Sequence, residues 1–171
     1  YSIRLLDLAS KAEKTISQGS AEKIEAKING DKIAWMDKRS GDFDVYLYDI
    51  STGAESAVAN GPMDQSFPCV YGSIVAWADN RTGDSDIVFK DIDTGKTTTI
   101  AKPGIQTDPR IYDTYMTYLN NGTDIILYDI KTGKEIDLVP GTIKMEPDIS
   151  ERGVVWTDYR RGVNDPDIQM F

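Results

Sequence analysis

KIAWMDKRSGDFDVYLYDISTG, residues 32–53, recurs in register as IVAWADNRTGDSDIVFKDIDTG, residues 74–95. Each copy runs an apolar segment into a tryptophan, then Asp-x-Arg-x-Gly, a second apolar segment, and a Thr-Gly turn. Two further copies follow, YMTYLNNGTDIILYDIKTG from Tyr115 and GVVWTDYRRGVNDPDIQMF from Gly153. The aromatic anchors are Trp35, Trp77, Tyr118 and Trp156, spaced by 42, 41 and 38 residues. Seven residues before each stands a branched aliphatic residue: Ile28, Val70, Ile111 or Ile149. Pro68, Pro109 and Pro147 precede the last three of these by two residues; the first unit has Ala26 there.

Within a unit, alternating β-branched and aromatic residues are bounded by Gly, Asn, Asp and Pro, and no helical stripe is sustained. The pattern predicts four short strands per unit. AEKIEAKI, residues 21–28, resembles a helix start in composition, but Ile24, Ala26 and Ile28 alternate with period two, so it reads as a strand. Four-stranded units of about 40 residues predict an all-β propeller of antiparallel blades. The third strand is apolar on both faces, as in Tyr46-Leu47-Tyr48, which suits a sheet held between two others.

The chain is expected to be one domain, 1–171, with units at about 20–61, 62–104 and 105–141 and a fourth made of 1–19 plus 142–171. Residues 1–19 supply a third and a fourth strand, and the sequence ends inside another third strand. Pairing N- and C-terminal strands would close a four-bladed ring and leave one third strand surplus, to be read as frayed, as paired with another subunit by strand addition, or as the mark of a cut from a larger array.

The pattern Trp-x-Asp-x-Arg-x-Gly-x-x-Asp-Ile/Val, followed by Tyr-Asp-Ile-x-Thr-Gly, resembles the TolB-type β-propeller repeats of methanogen cell-surface proteins and some secreted bacterial proteins. The match is strong at Trp35–Gly53 and Trp77–Gly95, and weaker at Tyr118–Gly133, where the loop is shorter. The resemblance implies an extracytoplasmic binding or structural module, at the cell surface or secreted, with the periplasm as the alternative.

The loop after each anchor carries Asp37, Arg39, Gly41, Asp42 and Asp44; then Asp79, Arg81, Gly83, Asp84 and Asp86; and, in part, Asp158, Arg160, Gly162 and Asp167. An EF-hand loop requires oxygen ligands at its first, third and fifth positions. The third position here is arginine. Paired Asp–Arg hairpins are therefore the preferred reading, with calcium at Asp79, Asp84 and Asp86 second and ligand contact third. The anchors are expected to fill the spaces between blades rather than line a sugar-binding surface. Asp49, Asp91 and Asp129 read as turn residues. Asn80-Arg81-Thr82 and Asn121-Gly122-Thr123 match the glycan acceptor pattern, and both fall on hairpins, so Asn80 and Asn121 are modification candidates.

Composition narrows the function. With 28 acidic against 19 basic residues and a formal charge of -9, the chain repels a phosphate backbone, which argues against nucleic acid. No histidine is present, which removes Ser-His-Asp triads and the commonest general base. The single cysteine, Cys69, builds neither an internal disulfide nor a zinc site alone. No apolar run is long enough to span a bilayer, and a start at Tyr1 without a signal-type segment reads as processed or excised. The expectation is a non-enzymatic surface module without cofactor or metal, with copies of itself or other surface proteins as partners. A carbohydrate or small-ligand binder is the alternative, using loops 60–66, 101–108 and 160–167, and a hydrolase ranks last.

Overall fold

The computed structural model describes residues 1–138 and 145–159, and the backbone of 144 and 167–170. An N-terminal hairpin comprises β1 (Ser2–Leu6) and β2 (Glu13–Gln18). The first full blade is β3 (Lys23–Asn29), β4 (Lys32–Asp37), β5 (Asp44–Asp49) and β6 (Ala54–Ala59). The second is β7 (Gln65–Tyr71), β8 (Ile74–Asp79), β9 (Asp86–Asp91) and β10 (Thr97–Ile100). The third is β11 (Gln106–Tyr112), β12 (Tyr115–Asn120), β13 (Asp124–Asp129) and β14 (Glu135–Asp137). A three-stranded sheet of β15 (Lys144–Ser150), β16 (Gly153–Asp158) and β17 (Asp167–Met170) follows.

Every sheet is an antiparallel meander of sequential neighbours. First strands of successive sheets lie against one another, β3 on β7, β7 on β11 and β11 on β15, so they form the inner side of the array. Among the described residues β1 pairs with β2 alone and β17 with β16 alone, so closure of a ring is not shown. No helix of the described residues is long and apolar enough to cross a membrane.

The core lies between sheets. Trp35 shares an apolar cluster with Ile3 of the N-terminal hairpin, and Trp77 with Ala34, Val45 and Leu47 of the first blade. Tyr118 joins Ala76, Ile87 and Phe89 of the second blade, and Trp156 joins Leu119 and Ile125 of the third. Each anchor is thus the side chain by which a blade grips the one before it. None is more than 4% exposed, so they form no sugar-stacking surface.

Each first strand carries one irregularity at the same place. The register shifts between Ile24 and Lys27, Ser66 and Cys69, Thr107 and Arg110, and Met145 and Asp148. Inside each shift one non-glycine residue is left-handed: Glu25, Phe67, Asp108 and Glu146, with φ between 53° and 57°. This bulge explains the prolines. Pro68, Pro109 and Pro147 follow immediately, where the chain has left the ladder and a missing N–H is tolerated.

Candidate functional site

The hairpin between second and third strands is built around a buried carboxylate. Asp37 is fully buried and Asp79 4% exposed. Trp35 Nε1 donates to Asp37 Oδ2 at 3.0 Å, and Trp77 Nε1 to Asp79 Oδ2 at 2.9 Å; residues two apart share one face of a strand. From the loop beyond, Arg39 Nη2 donates to Asp37 at 2.5 Å, while Arg81 grips Asp79 through Nε and Nη2 at 2.5–3.0 Å. Burial opposes the Asp37 charge, but bonds from Arg39 and Trp35 outweigh it and hold the pKa below the ordinary 3.8. Asp79 is lowered in the same way, against burial, by Arg81 and Trp77.

Arg39 also reaches Glu55 of β6 at 2.6 Å and Ser17 of β2 at 3.1 Å, tying its hairpin to its own fourth strand and to the preceding hairpin. Asp42 accepts the Met63 N–H and Asp64 the Phe43 N–H, both at 2.9 Å. Asp44 accepts from Gly61 N–H at 3.2 Å and from the Ser40 hydroxyl. In the second blade Asp86 accepts from Thr82, and Asp84 stays exposed. The oxygens of the calcium reading, Asp79 and Asp86, are thus engaged by donors of their own hairpin. Among the described residues no group of three or more His, Cys, Asp or Glu is placed to hold a metal ion. Asp158 is buried in β16, Asp167 is described by its backbone alone, and Arg160 and Gly162 lie outside the described residues.

Sequence reading missed the partner on the first strand. Lys23, Gln65 and Gln106 each stand twelve residues before an anchor, and they face Asp37, Asp79 and Asn120 across the ladder. Lys23 Nζ lies 3.5 Å from Asp37 with only 2% of its side chain exposed. Gln106 Nε2 donates to Asn120 Oδ1 at 3.1 Å. In the third blade Asn120 and Gly122 replace Asp and Arg together, so no buried charge is left without a counter-ion. The repeat itself held the signal: three polar residues in one register at the start of an otherwise apolar strand.

Two of the bulges carry an ion pair. Glu25 pairs with Lys27 at 3.2 Å and Asp108 with Arg110 at 2.7 Å. Burial raises the Asp108 pKa against the pull of Arg110. Cys69, next to this group, has its thiol pushed up to about 12 by burial, so it is no thiolate nucleophile at neutral pH.

Two of the divergent loops, 60–66 and 101–108, meet over a cavity of about 360 Å³ lined by Met63, Phe67, Asn80, Ile105 and Thr107. Loop 160–167 lies outside the described residues except at Asp167. Asn121 is left-handed, with φ 55°, and its Oδ1 accepts the Ile105 N–H at 2.9 Å, packed where Gly104 has no side chain.

Comparison of this architecture with solved structures decides its class. The putative TolB of Agrobacterium tumefaciens superposes with a TM-score of 0.73 over 99% of this chain and 69% of that one, at 20% identity. The chain has a TolB-like β-propeller fold. TolB from Acinetobacter baumannii gives 0.71 at 15% identity, covering 99% of this chain, which spans 48% of that one. A chain of the nidogen/laminin complex gives 0.69 at 12% identity, covering 99% of this chain and 67% of that one. No family model matches the sequence, and no curated protein matches it. Likeness at these identities describes the fold alone.

Proposed function

We propose that the protein is a non-enzymatic, extracytoplasmic propeller serving a cell surface as a structural or protein-interaction module, associating with copies of itself or with other surface proteins. The observation that supports this is the saturation of the repeated chemistry. Asp37 and Asp79 are spent on the indole and guanidinium of their own hairpins, with depressed pKa values, whereas a catalytic acid or base needs a pKa near the working pH. The extracytoplasmic setting rests on the resemblance of the repeat.

The finer form of the fold belongs to the same reading. We assign four blades, with the N-terminal hairpin completing the C-terminal sheet and one third strand left over. Among the described residues β1 pairs with β2 alone, which leaves its other edge to strand addition, within the chain or from a second copy. The test is light scattering behind size-exclusion chromatography over a range of concentrations, with and without residues 1–8. Assembly that disappears on deletion, while the β-type circular dichroism persists, supports the proposal. A 19.0 kDa species at all concentrations overturns self-association, and assembly indifferent to the deletion overturns strand addition through β1. Glycans at Asn80 and Asn121 fit the same setting, and a native intact mass equal to that of the bare polypeptide excludes them.

A further inference from the structure

A second groove lies between the second and third blades, at the end of the sheets opposite the 2–3 hairpins, where third strands turn into fourth strands. It encloses about 350 Å³ over a floor of Ile74, Phe89 and Ile130. Tyr128 forms one wall, its ring edge-on to Phe89 with centroids 5.9 Å apart. Thr98 and Thr132 add hydroxyls, and Lys96 and Lys131 stand at the rim.

The fold contains the same groove once more, between the N-terminal hairpin and the first blade, and there it is filled from within. Lys14 Nζ lies 5.2 Å from the centroid of the Tyr48 ring and donates to its hydroxyl at 2.6 Å. Tyr48 and Tyr128 are equivalent in the repeat. Lys14 and Thr98 are equivalent in register, since Lys14 faces Leu5 across its ladder and Thr98 faces Phe89. Threonine is too short to cross. The chain therefore leaves open at Tyr128 the space it closes at Tyr48.

Charge decides what suits the open groove. On a chain of net charge -9, Lys23, Lys27, Lys32 and Lys102 are each ion-paired with a carboxylate. Lys96 and Lys131 have no carboxylate within ion-pair distance among the described residues, and the nearest acid to Lys131, Asp129, is held by the backbone N–H groups of Lys131 and Thr132 in its own turn. The one acid on the wall, Asp91, accepts the Asp93 N–H of its own turn at 3.0 Å. An ammonium ligand would meet two rim lysines of its own sign. An anion would gain two cations at the edge of a partly desolvated site, where charge-assisted hydrogen bonds are strongest.

We propose that this groove binds one residue of an acidic saccharide, a uronate or sulfated sugar ring. Its apolar face lies on the half-buried Ile74 and Ile130, its hydroxyls meet Thr98, Thr132 and Tyr128, and its anionic group lies between Lys96 and Lys131. The site is independent of strand pairing at β1 and goes beyond the assembly role above.

The test is isothermal titration calorimetry at low and moderate salt. The probes are a uronic-acid trisaccharide, a sulfated trisaccharide, a neutral glucose trisaccharide and sodium sulfate. At least one acidic trisaccharide binds saturably and weakens with salt, the neutral one does not bind, and Lys96→Gln with Lys131→Gln reduces affinity about tenfold or more. Thr98→Lys separates recognition from bulk charge: it adds a cation yet plugs the groove as Lys14 does, so binding is lost. Any of four results overturns the proposal: no saturable binding of either acidic trisaccharide, indifference to the paired glutamine variant, tighter binding by Thr98→Lys, or sulfate alone binding as well as the sugar.

Discussion

The indole nitrogen of Trp77 and the carboxylate of Asp79, two residues apart on β8, are joined by a buried 2.9 Å hydrogen bond. The bond makes one side chain serve two interfaces. The Trp77 ring grips the first blade, and its polar edge anchors the acid around which Arg81 closes the hairpin.

That arrangement predicts strong coupling. Asp79→Ala strands the Trp77 donor and removes the counter-charge of Arg81, and should cost about 2–4 kcal/mol. Asp79→Asn with Arg81→Gly reproduces the pair that the third blade carries as Asn120 and Gly122. The double variant should be more stable than the sum of its single variants by about 1–2 kcal/mol. Urea denaturation of the four proteins measures the coupling; strict additivity would show that the two side chains act independently.

Acid sensitivity follows from the same residues. The folded-state pKa values of Asp37 and Asp79 lie below 3.8, so the carboxylates contribute stability that is fully present above the unfolded value and lost as pH falls through the folded ones. The urea midpoint should hold near neutral pH and fall steeply below about pH 4. In Asp37→Asn with Asp79→Asn the fall should be shallower, and an identical pH profile would refute the assignment.

Lys11 offers a stabilising change. The turn from β1 to β2 repeats the Asp-initiated turns ending at Gly53, Gly95 and Gly133, whose φ values are 74°, 76° and 70°; Lys11 occupies the glycine position with φ 61°. An exposed left-handed lysine carries a steric penalty that glycine avoids. Lys11→Gly should raise stability by about 0.5–1 kcal/mol in the same assay.

Gly104 should behave oppositely. A methyl group there would overlap Asn121 Oδ1, and φ of 96° disfavours any side chain. Gly104→Ala should cost about 2 kcal/mol or more, and Asn121→Gly in the same chain should recover part of it. No recovery would mean that the backbone conformation, not the overlap, sets the penalty.

Much of the architecture was legible because the repeat printed it several times. The spacing of Trp35, Trp77 and Tyr118 located the strands, β3 among them despite its helix-like composition, but the alternation of Ile24, Ala26 and Ile28 does not hold: the bulge sets Ile24 and Ile28 on opposite faces, and both are exposed. The bulges were not legible: Glu25, Phe67 and Asp108 share no chemistry that marks a left-handed residue, and the prolines after them were visible without their cause. Lys23 was missed because a lysine at a strand start reads as exposed until Asp37 is set opposite it. The groove at Tyr128 depends on how far Thr98 reaches across two sheets, which periodicity does not encode.

The recurrent bulge also decides how these blades meet strangers. A first strand is a sheet edge, and an unbroken apolar edge is a template for aggregation. At Phe67-Pro68, Asp108-Pro109 and Glu146-Pro147 the ladder is interrupted by a left-handed residue and then by one with no N–H to offer. An intruding strand therefore runs out of partners within a few residues. Repeated in all four first strands, the bulge leaves each of them only a short run of ladder that a foreign strand could match.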